Sequence, residues 1–333
     1  MSSGSSKILI ILFITGFFLH SGYAVERPLV NSITIRGPQY CEPDMLEDLM
    51  GLQEPGLFGG KQYFFQDVLL QDLKTIKNFC FRHGFLDTRI SEFDVIWSSD
   101  SSEVDILITV DEGEPVLVDT IIIAGNEIFT YSEIRSVLSI KPGDRLDFED
   151  ISNSEDKIIR EYAEKGHLSA SVTRQIIRED SLAALHLSIT EGPLCRLQGV
   201  KFKGNQRTEN WFLLRDLPLE PGEVLTIDHI DTYRERLYRI GIFQTINIEI
   251  EPTEDECFYT MIVIFREKNP GEIGAGFGAG SREGGRVRAH ASYINMFGRG
   301  IGLGVEGKLS FLNSRVVANL FEPYFLRSSV FFT

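Results

Sequence analysis

The sequence predicts an α+β protein in which three small tandem domains precede an antiparallel sheet of two-faced strands. Three observations support this prediction. A pattern of segments recurs at a spacing of about 79 residues, each copy has the order strand, helix, helix, strand, strand, and the residues after 270 alternate between apolar and polar or glycine. Two helices on one face of a three-stranded sheet bury the apolar sides of both layers, so each copy can form its own core.

The repeat is clearest between residues 118–144 and 197–223. Each begins with an alternating apolar strand that ends in Gly-Asn, continues with a short amphipathic segment and closes with a Pro-Gly-acid turn. A helix then ends at Gly166 or Gly241, where glycine supplies the left-handed cap that other residues adopt at a cost. Another alternating strand follows each glycine. The last strands of the two copies are residues 182–192 and 257–267.

A more divergent copy precedes these two. Its first strand is predicted at residues 30–37 and its long helix at residues 64–83. A hairpin of residues 88–97 and 103–113 completes it. Three similar units in series indicate an array of domains, an architecture that is rarely enzymatic.

This arrangement resembles the POTRA domain. The shared features are the β-α-α-β-β order, the first strand ending in Gly-Asn, the glycine after the second helix and a final strand ending in Glu-Gly. The likeness covers residues 28–267. It predicts POTRA-like domains at residues 28–114, 115–193 and 194–268.

The N-terminus has the pattern of a secretory signal peptide over residues 1–24. A short apolar run at residues 8–19 is followed by Gly22 and Ala24, which suit a cleavage site. The run is shorter than the roughly 20 apolar residues that a membrane-spanning helix requires. We therefore expect the mature protein to be exported.

The residues from 270 onwards predict a row of two-faced strands. In residues 272–280, Ile273 and Phe277 fall on one face, whereas Glu272 and the glycines fall on the other. Side chains alternate faces along a strand, and strands of about ten residues with one apolar face are typical of transmembrane β-barrels. A soluble sheet with its apolar face in a core is the alternative. Further strands are predicted at residues 286–295, 300–311 and 315–321.

A phosphate-binding loop is a second interpretation of the glycine-rich stretch, because Gly274, Gly276 and Ala279 loosely satisfy G-x-G-x-x-G/A. Such a fingerprint must open a helix within a βαβ unit. Here it leads into a turn and another strand, which disfavours nucleotide binding.

The same residues resemble the opening barrel strands of the BamA/TamA-type outer-membrane β-barrel assembly family. The matching features are the glycine-rich first strand, the stretch YINMFGRGIGLG at residues 293–304, and Glu322-Pro323-Tyr324-Phe325 after the fourth strand. Family barrels contain more strands than the four and the beginning of a fifth that residues 270–333 provide. The resemblance therefore predicts an incomplete barrel, from a fragment or a truncated gene product.

The family resemblance implies a non-enzymatic function, the folding and insertion of other β-barrels. A glycine-rich first strand has few side chains with which to hold a neighbour, so its seam should open and expose backbone groups that template an incoming strand. The predicted client-binding residues of this seam strand are Glu272, Ile273, Gly274, Gly276, Gly278 and Gly280.

The fold of the family also implies that the second strand of each repeat lies at a sheet edge. These strands are residues 88–97, 169–178 and 245–251, and each could receive an extended client segment. Charged residues on them, including Glu251, would be solvent-facing guards against indiscriminate pairing. The predicted edge residues are Arg89, Ser91, Arg174, Arg178, Asn247 and Glu249.

The four cysteines form no C-x-x-C motif. In the family's sheet Cys195 and Cys257 belong to neighbouring parallel strands, which implies a disulfide between them. Cys41 and Cys80, expected on the two packed helices of the first repeat, are a second candidate pair. No histidine spacing predicts a metal site, and no catalytic residues or cofactors are predicted.

Two further predictions concern partners. The net charge of −15 argues against nucleic acid, whose binding needs clustered Lys and Arg. The expected partners are unfolded outer-membrane β-barrel clients, outer-membrane lipid, and periplasmic or lipoprotein accessory proteins, with the repeats in the periplasm. A two-partner-secretion transporter and a soluble periplasmic POTRA scaffold are alternative functions.

Overall fold

A computed structural model describes residues 27–56, 60–255, 257–280 and 284–324. The predicted signal peptide, Phe325 and the beginning of a fifth strand lie outside these residues. The chain divides into two compact units, residues 1–114 and 115–333. The first unit contains the first repeat, and the second contains the other two repeats and the final sheet.

The first repeat has the predicted order of elements. Its sheet has the order β1-β3-β2, with β1 parallel and β2 antiparallel to the central strand β3. Alternate residues of β3 are buried against the helices, which is the pattern of a sheet covered on one face. The elements are β1 (Leu29–Arg36), α1 (Pro43–Asp48), α2 (Gln66–Arg82), β2 (Arg89–Trp97) and β3 (Glu103–Asp111).

The second repeat has the same topology, with sheet order β4-β6-β5. Its first helix begins at a capping box, in which Thr130 and Glu133 each bind the other's backbone N–H. Asp147 caps the second helix by accepting hydrogen bonds from two backbone amides. The elements are β4 (Leu117–Ala124), α3 (Tyr131–Val137), α4 (Phe148–Glu164), β5 (Ser171–Glu179) and β6 (Leu182–Thr190).

The third repeat has the sheet order β7-β9-β8 and packs against the second. Helices α4 and α6 are in contact, and the backbone N–H of Cys195 donates a 2.8 Å hydrogen bond to the carbonyl of Gly166. These contacts place the two repeats within one compact unit. The elements are β7 (Arg196–Lys203), α5 (Asn210–Leu214), α6 (Ile227–Arg239), β8 (Phe243–Pro252) and β9 (Phe258–Glu267).

Each repeat closes with a glutamate that holds the loop after its first strand. Glu112, Glu191 and Glu267 occupy equivalent positions, and each carboxylate accepts hydrogen bonds from backbone N–H groups of that loop. Burial alone would raise the pKa of Glu191, but hydrogen bonds from Ile128, Tyr162 and Glu127 outweigh it and lower that pKa. The Glu-Gly ending noted in the sequence is therefore a structural anchor.

The glycine at the end of each first strand makes a close backbone approach. Gly125 has a φ of +82°, and a Cβ on it would overlap the carbonyl oxygen of Ile189, two residues before the anchoring glutamate. Only glycine satisfies both the positive φ and the absence of space. The same relation holds for Gly37 with Val110 and for Gly204 with Phe265.

The two edges of each repeat sheet differ. The first strand is bridged at its start by the segment before the second helix. These bridges pair Leu29 with Tyr63, Leu117 with Arg145, and Arg196 with Val224. No comparable bridge covers the second strand in the described residues, so the second strand presents the more open edge.

The last element is an antiparallel sheet with the order β10-β11-β12-β13. Its four strands follow one another in sequence, as expected from the alternating pattern. Across the described parts of the chain, none of the helices is both long and apolar enough to span a lipid bilayer. The strands are β10 (Gly271–Gly280), β11 (Gly284–Met296), β12 (Ile301–Ser310) and β13 (Ser314–Phe321).

Candidate functional site: an open strand edge and its joint to the third repeat

Strand β10 lies at one end of the final sheet. It pairs with β11 over its whole length, from Gly271 with Tyr293 to Gly280 with Gly284. Among the described strands no other pairs with β10, so the backbone groups along its second edge are unpaired there. An edge of this kind can accept another strand.

One face of the sheet is apolar and exposed. Ile273 is 88% exposed and Phe277 is 95% exposed, and neither reaches a core in the described residues. This face extends across the sheet, because Ile273, Ala291 and Val305 are register partners in one transverse row. Large side chains exposed on the other strands include Val287, Leu309, Val316 and Leu320.

The opposite face explains two of the glycines of β10. A Cβ on Gly274 would overlap the imidazole of His290, which lies across from it on β11. The His290 ring reaches toward Glu272, with 3.6 Å between Nε2 and the carboxylate. A Cβ on Gly278 would lie 3.1 Å from Nε of Arg286. These glycines therefore leave room for long side chains of the neighbouring strand.

Two other glycines of β10 have open surroundings. A Cβ on Gly276 or Gly280 would meet nothing within 4 Å. The contacts between β10 and β11 on the polar face are therefore made mainly from the β11 side. Strand β10 itself contributes few side chains to these contacts. This geometry agrees with the prediction that β10 has few side chains with which to hold a neighbouring strand.

The turn between β11 and β12 docks on the third repeat. The amide nitrogen of Asn295 donates a 2.9 Å hydrogen bond to the Thr208 hydroxyl, and Thr208 in turn donates a 2.6 Å hydrogen bond to Glu267. Asn295 is buried, and its side-chain oxygen accepts from the backbone N–H of Gly300. The anchoring glutamate of the third repeat is thus linked to the final sheet through Thr208.

Two further contacts tighten this joint. The backbone N–H of Glu209 donates a 3.1 Å hydrogen bond to the carbonyl of Gly298. Gly298 has a φ of +69°, and a Cβ there would overlap the carbonyl oxygen of Arg207. The guanidinium of Arg299 lies 5.4 Å from the ring centroid of Trp211.

The segment after β13 also contacts the third repeat. The Tyr324 ring packs edge-on against Phe212 at 5.5 Å, and its hydroxyl hydrogen-bonds to the Asp216 carboxylate. Arg215 stacks its guanidinium 4.1 Å from the same ring. Asn295, Gly298 and Tyr324 belong to the stretches that resemble the family in sequence. Their partners were not predicted, because no local pattern connects these residues to the third repeat.

The predicted edge residues of the repeats have varied surroundings. Arg174 was expected to face solvent as a guard, but its guanidinium makes a 3.0 Å ion pair with Glu155 on α4. Asn247 donates to the Glu249 carboxylate on the same strand, and the Ser91 hydroxyl donates to the backbone of β3. Arg89 pairs in register with Asp111, and the Arg178 Nε donates to the carbonyl of Asp180.

The open edges also differ among repeats. In the first repeat β2 exposes large apolar side chains, whereas β8 in the third repeat carries Asn247, Glu249 and Glu251. The hydroxyl of Tyr238 accepts a 3.0 Å hydrogen bond from the Ile246 N–H, which occupies one edge donor of β8. The exposed surface of the edge strand is therefore more apolar in the first repeat than in the third. Its exposed side chains are Phe93, Ile96 and Trp97.

The four cysteines are thiols in this structure. Cys195 and Cys257 immediately precede the register pair Arg196 and Phe258 of the parallel strands β7 and β9, but Cys195 is buried and Cys257 is exposed. Cys41 and Cys80 are both buried in one core. Cys41 lies before α1 and not on it, which corrects its expected position. Among the described residues no group of three His, Cys, Asp or Glu could hold a metal ion.

The chain therefore combines tandem β-α-α-β-β repeats with an antiparallel sheet that has one apolar face and is joined to the third repeat. The chain belongs to the POTRA family, because the family model described as "Surface antigen variable number repeat" matches residues 28–113, 116–192 and 196–267. The POTRA resemblance predicted from the sequence is confirmed.

Two of the curated relatives are BamA proteins. Outer membrane protein assembly factor BamA of Nitratidesulfovibrio vulgaris is 22% identical over 303 residues, covering 88% of this chain and 38% of that protein. BamA of Buchnera aphidicola subsp. Acyrthosiphon pisum is 24% identical and covers 83% of this chain and 46% of that protein. The chain thus spans less than half the length of these relatives.

Two solved structures share the fold. The crystal structure of POTRA domains 3–5 of Haemophilus influenzae BamA is 23% identical, with a TM-score of 0.53 over 72% of this chain and 96% of that one. BamA of Haemophilus ducreyi lacking POTRA domains 1–3 is also 23% identical, with a TM-score of 0.56 over 64% of this chain and 41% of that one. At this identity the likeness establishes the fold.

Proposed function

We propose that the chain comprises the repeats and the β10–β13 sheet of an outer-membrane assembly factor that folds and inserts β-barrel proteins. The observation that carries this proposal is the open second edge of β10, on a strand with glycine at nearly every second position. The curated relatives that cover most of this chain are assembly factors by name. The unpaired backbone of β10 supplies the hydrogen-bonding groups that a client strand needs.

The exposed apolar face favours a membrane environment for the sheet. Ile273, Phe277 and Val316 are each at least 77% exposed, and burying them in lipid removes that area from water. The polar side chains of the same strands then face away from the lipid, as in barrels that enclose a polar interior. A soluble scaffold would leave this face in water.

The joint gives the edge a fixed support. Asn295, Gly298 and Tyr324 each contact the third repeat, so β10–β13 are held against it. A client segment bound at the open edge of the third repeat would therefore be delivered to a sheet whose position relative to that repeat is set. In this proposal the apolar edge of β2 is the candidate site at which a client segment binds first. Lipid contacts the apolar face of the β10–β13 sheet.

The proposal is tested by depleting the protein in its parent organism. We expect many outer-membrane β-barrel proteins to decline together, with their unfolded forms accumulating before insertion. Loss of one secreted protein with unchanged barrel levels would instead identify a secretion transporter. Recovery of the full chain in the soluble periplasmic fraction after carbonate washing would contradict the membrane sheet.

A further inference from the structure

The first repeat contains two buried thiols in contact. Cys41 is 1% exposed and Cys80 is 0% exposed, and both belong to the same hydrophobic core. The pKa of Cys80 is lowered by a hydrogen bond from the Cys41 side chain, against the opposing effect of burial. Cys41 lies between β1 and α1, whereas Cys80 lies in the last turn of α2, so the contact joins two separate elements.

The backbone around both thiols is held by shared partners. The Glu112 carboxylate accepts a 3.2 Å hydrogen bond from the backbone N–H of Cys41. The hydroxyl of Thr88 donates to the carbonyls of Glu112 and Phe85, and the N–H of Phe85 donates a 3.0 Å hydrogen bond to the carbonyl of Cys80. A continuous hydrogen-bonded path therefore fixes the two cysteines relative to each other.

The second repeat shows independently that these two positions meet in this fold. Cys41 lies four residues after Gly37, as Phe129 does after Gly125, and Cys80 lies four residues before Gly84, as Tyr162 does before Gly166. The rings of Phe129 and Tyr162 pack edge-to-face with centroids 4.9 Å apart. The first repeat thus has two small thiols where the second has two large rings.

We propose that Cys41 and Cys80 form a disulfide bond in the exported protein, one that fastens the segment between β1 and α1 to the last turn of α2. The inference rests on the export that the proposed function requires. A covalent link would compensate for the smaller packing volume of two thiols by restricting the unfolded chain. The other two cysteines lack such an arrangement, since Cys257 is exposed while Cys195 is buried.

The oxidant is a disulfide-donating protein or small molecule of the envelope. The thiolate of one cysteine attacks the donor disulfide and forms a mixed disulfide, which releases one donor thiolate. The second cysteine thiolate then attacks the protein sulfur of that mixed disulfide and expels the other donor sulfur. The reduced donor, which is a dithiol for a protein donor or two separate thiols for a small-molecule disulfide, takes up the two thiol protons, and the protein pair is oxidised by two electrons. The hydrogen bond with Cys41 lowers the pKa of Cys80 against the opposing effect of burial, which favours the attacking thiolate.

The test is peptide mapping of the full chain produced with its leader in a Gram-negative host. Free thiols are alkylated during denaturation, and the protein is digested without reductant. We expect a linked pair of peptides containing Cys41 and Cys80, with Cys257 alkylated. The variant Cys41→Ser should lose the link and leave Cys80 alkylated, whereas Cys257→Ser is the matched control and should retain it.

A second arm separates this proposal from the proposed function. The chain produced without its leader is purified reduced and exposed to oxidised glutathione. Formation of the 41–80 link supports the geometry even if the leader fails to export the chain. Alkylation of both cysteines in this arm, or in chain recovered from the envelope, would overturn the disulfide and leave the proposed function intact. We also expect reduction to accelerate proteolysis within the first repeat by at least about tenfold.

Discussion

The side-chain amide of Asn295 donates a 2.9 Å hydrogen bond to the hydroxyl of Thr208. This contact connects residues 87 positions apart and joins the β11–β12 turn to the third repeat. The Thr208 hydroxyl in turn donates a hydrogen bond to the carboxylate of Glu267, the last residue of β9. The sheet and the repeat therefore share a buried polar network, which fixes their relative position.

The substitution Asn295→Ala should loosen this joint. It removes the hydrogen bond to Thr208 and leaves the backbone N–H of Gly300 without its partner, for a local cost of about 2 kcal/mol. Faster hydrogen exchange is expected in both residues 295–300 and 207–212. Asn319→Ala, on the exposed part of β13, is the matched control and should leave both segments unchanged. Equal exchange in the two variants would contradict the network.

The energetic cost of a steric clash at Gly125 can be measured separately from the cost of its positive φ. Gly125→Ala places a methyl group against the Ile189 carbonyl and should destabilise the second repeat by about 3 kcal/mol or more. Gly143→Ala is the control, because Gly143 also has a positive φ, of +90°, but open space around it. That control should cost only about 1 kcal/mol. Free energies of local unfolding from hydrogen exchange would measure both, and equal costs would refute the clash.

The second repeat should lose stability in acid through Glu191. Its pKa is lowered in the folded protein, so its contribution is full above the unfolded value of 4.5 and disappears as the pH falls through the folded pKa. Glu191→Gln should cost about 1 kcal/mol at neutral pH and flatten this dependence. Stability of the second repeat against pH provides the measurement, with Glu179→Gln as an exposed control. A variant that retained the full acid slope would exclude Glu191 as its source.

The glycines of β10 should differ in how well they tolerate substitution by a larger residue. Gly274→Val would displace the imidazole of His290, and an off-rotamer ring costs roughly 1 kcal/mol in addition to its lost contact with Glu272. Gly276→Val projects into open space and should be tolerated sterically. The yield of protease-resistant chain in the membrane fraction would compare them. The double variant Gly274→Val, His290→Ala should restore the yield if the ring is the obstacle.

The strands and helices that depend on local sequence patterns could be predicted from the sequence. Period-two alternation located β10–β13, and the repeated landmarks located the order of strands and helices in every repeat. Arg174 is exposed, as predicted for a guard, but its partner Glu155 could not be predicted, because the ion pair joins a strand to a helix 19 residues away in sequence. Strand parity specifies a face but not the side chains that a helix brings to it.

For the same reason, local sequence patterns could not predict the hydrogen bonds of the anchoring glutamates or the joint between the final sheet and the third repeat. Glu112 and Glu191 were noted as part of a Glu-Gly ending, but the backbone N–H groups that they bind lie more than 60 residues earlier. The glycines of β10 were interpreted as a bare strand, whereas Gly274 also accommodates His290 from the next strand. Such contacts depend on register and tertiary packing, which a single sequence does not specify.

Site-specific photocrosslinking tests the central claim most directly. A photoreactive residue at Ile273 lies on the open strand β10, and one at Val305 lies on the internal strand β12, in the same transverse row and on the same apolar face. During synthesis of a β-barrel client, the probe at position 273 should capture client strands, and the probe at position 305 should not. Equal capture at both positions, or capture at position 305 alone, would contradict a client-binding edge on β10.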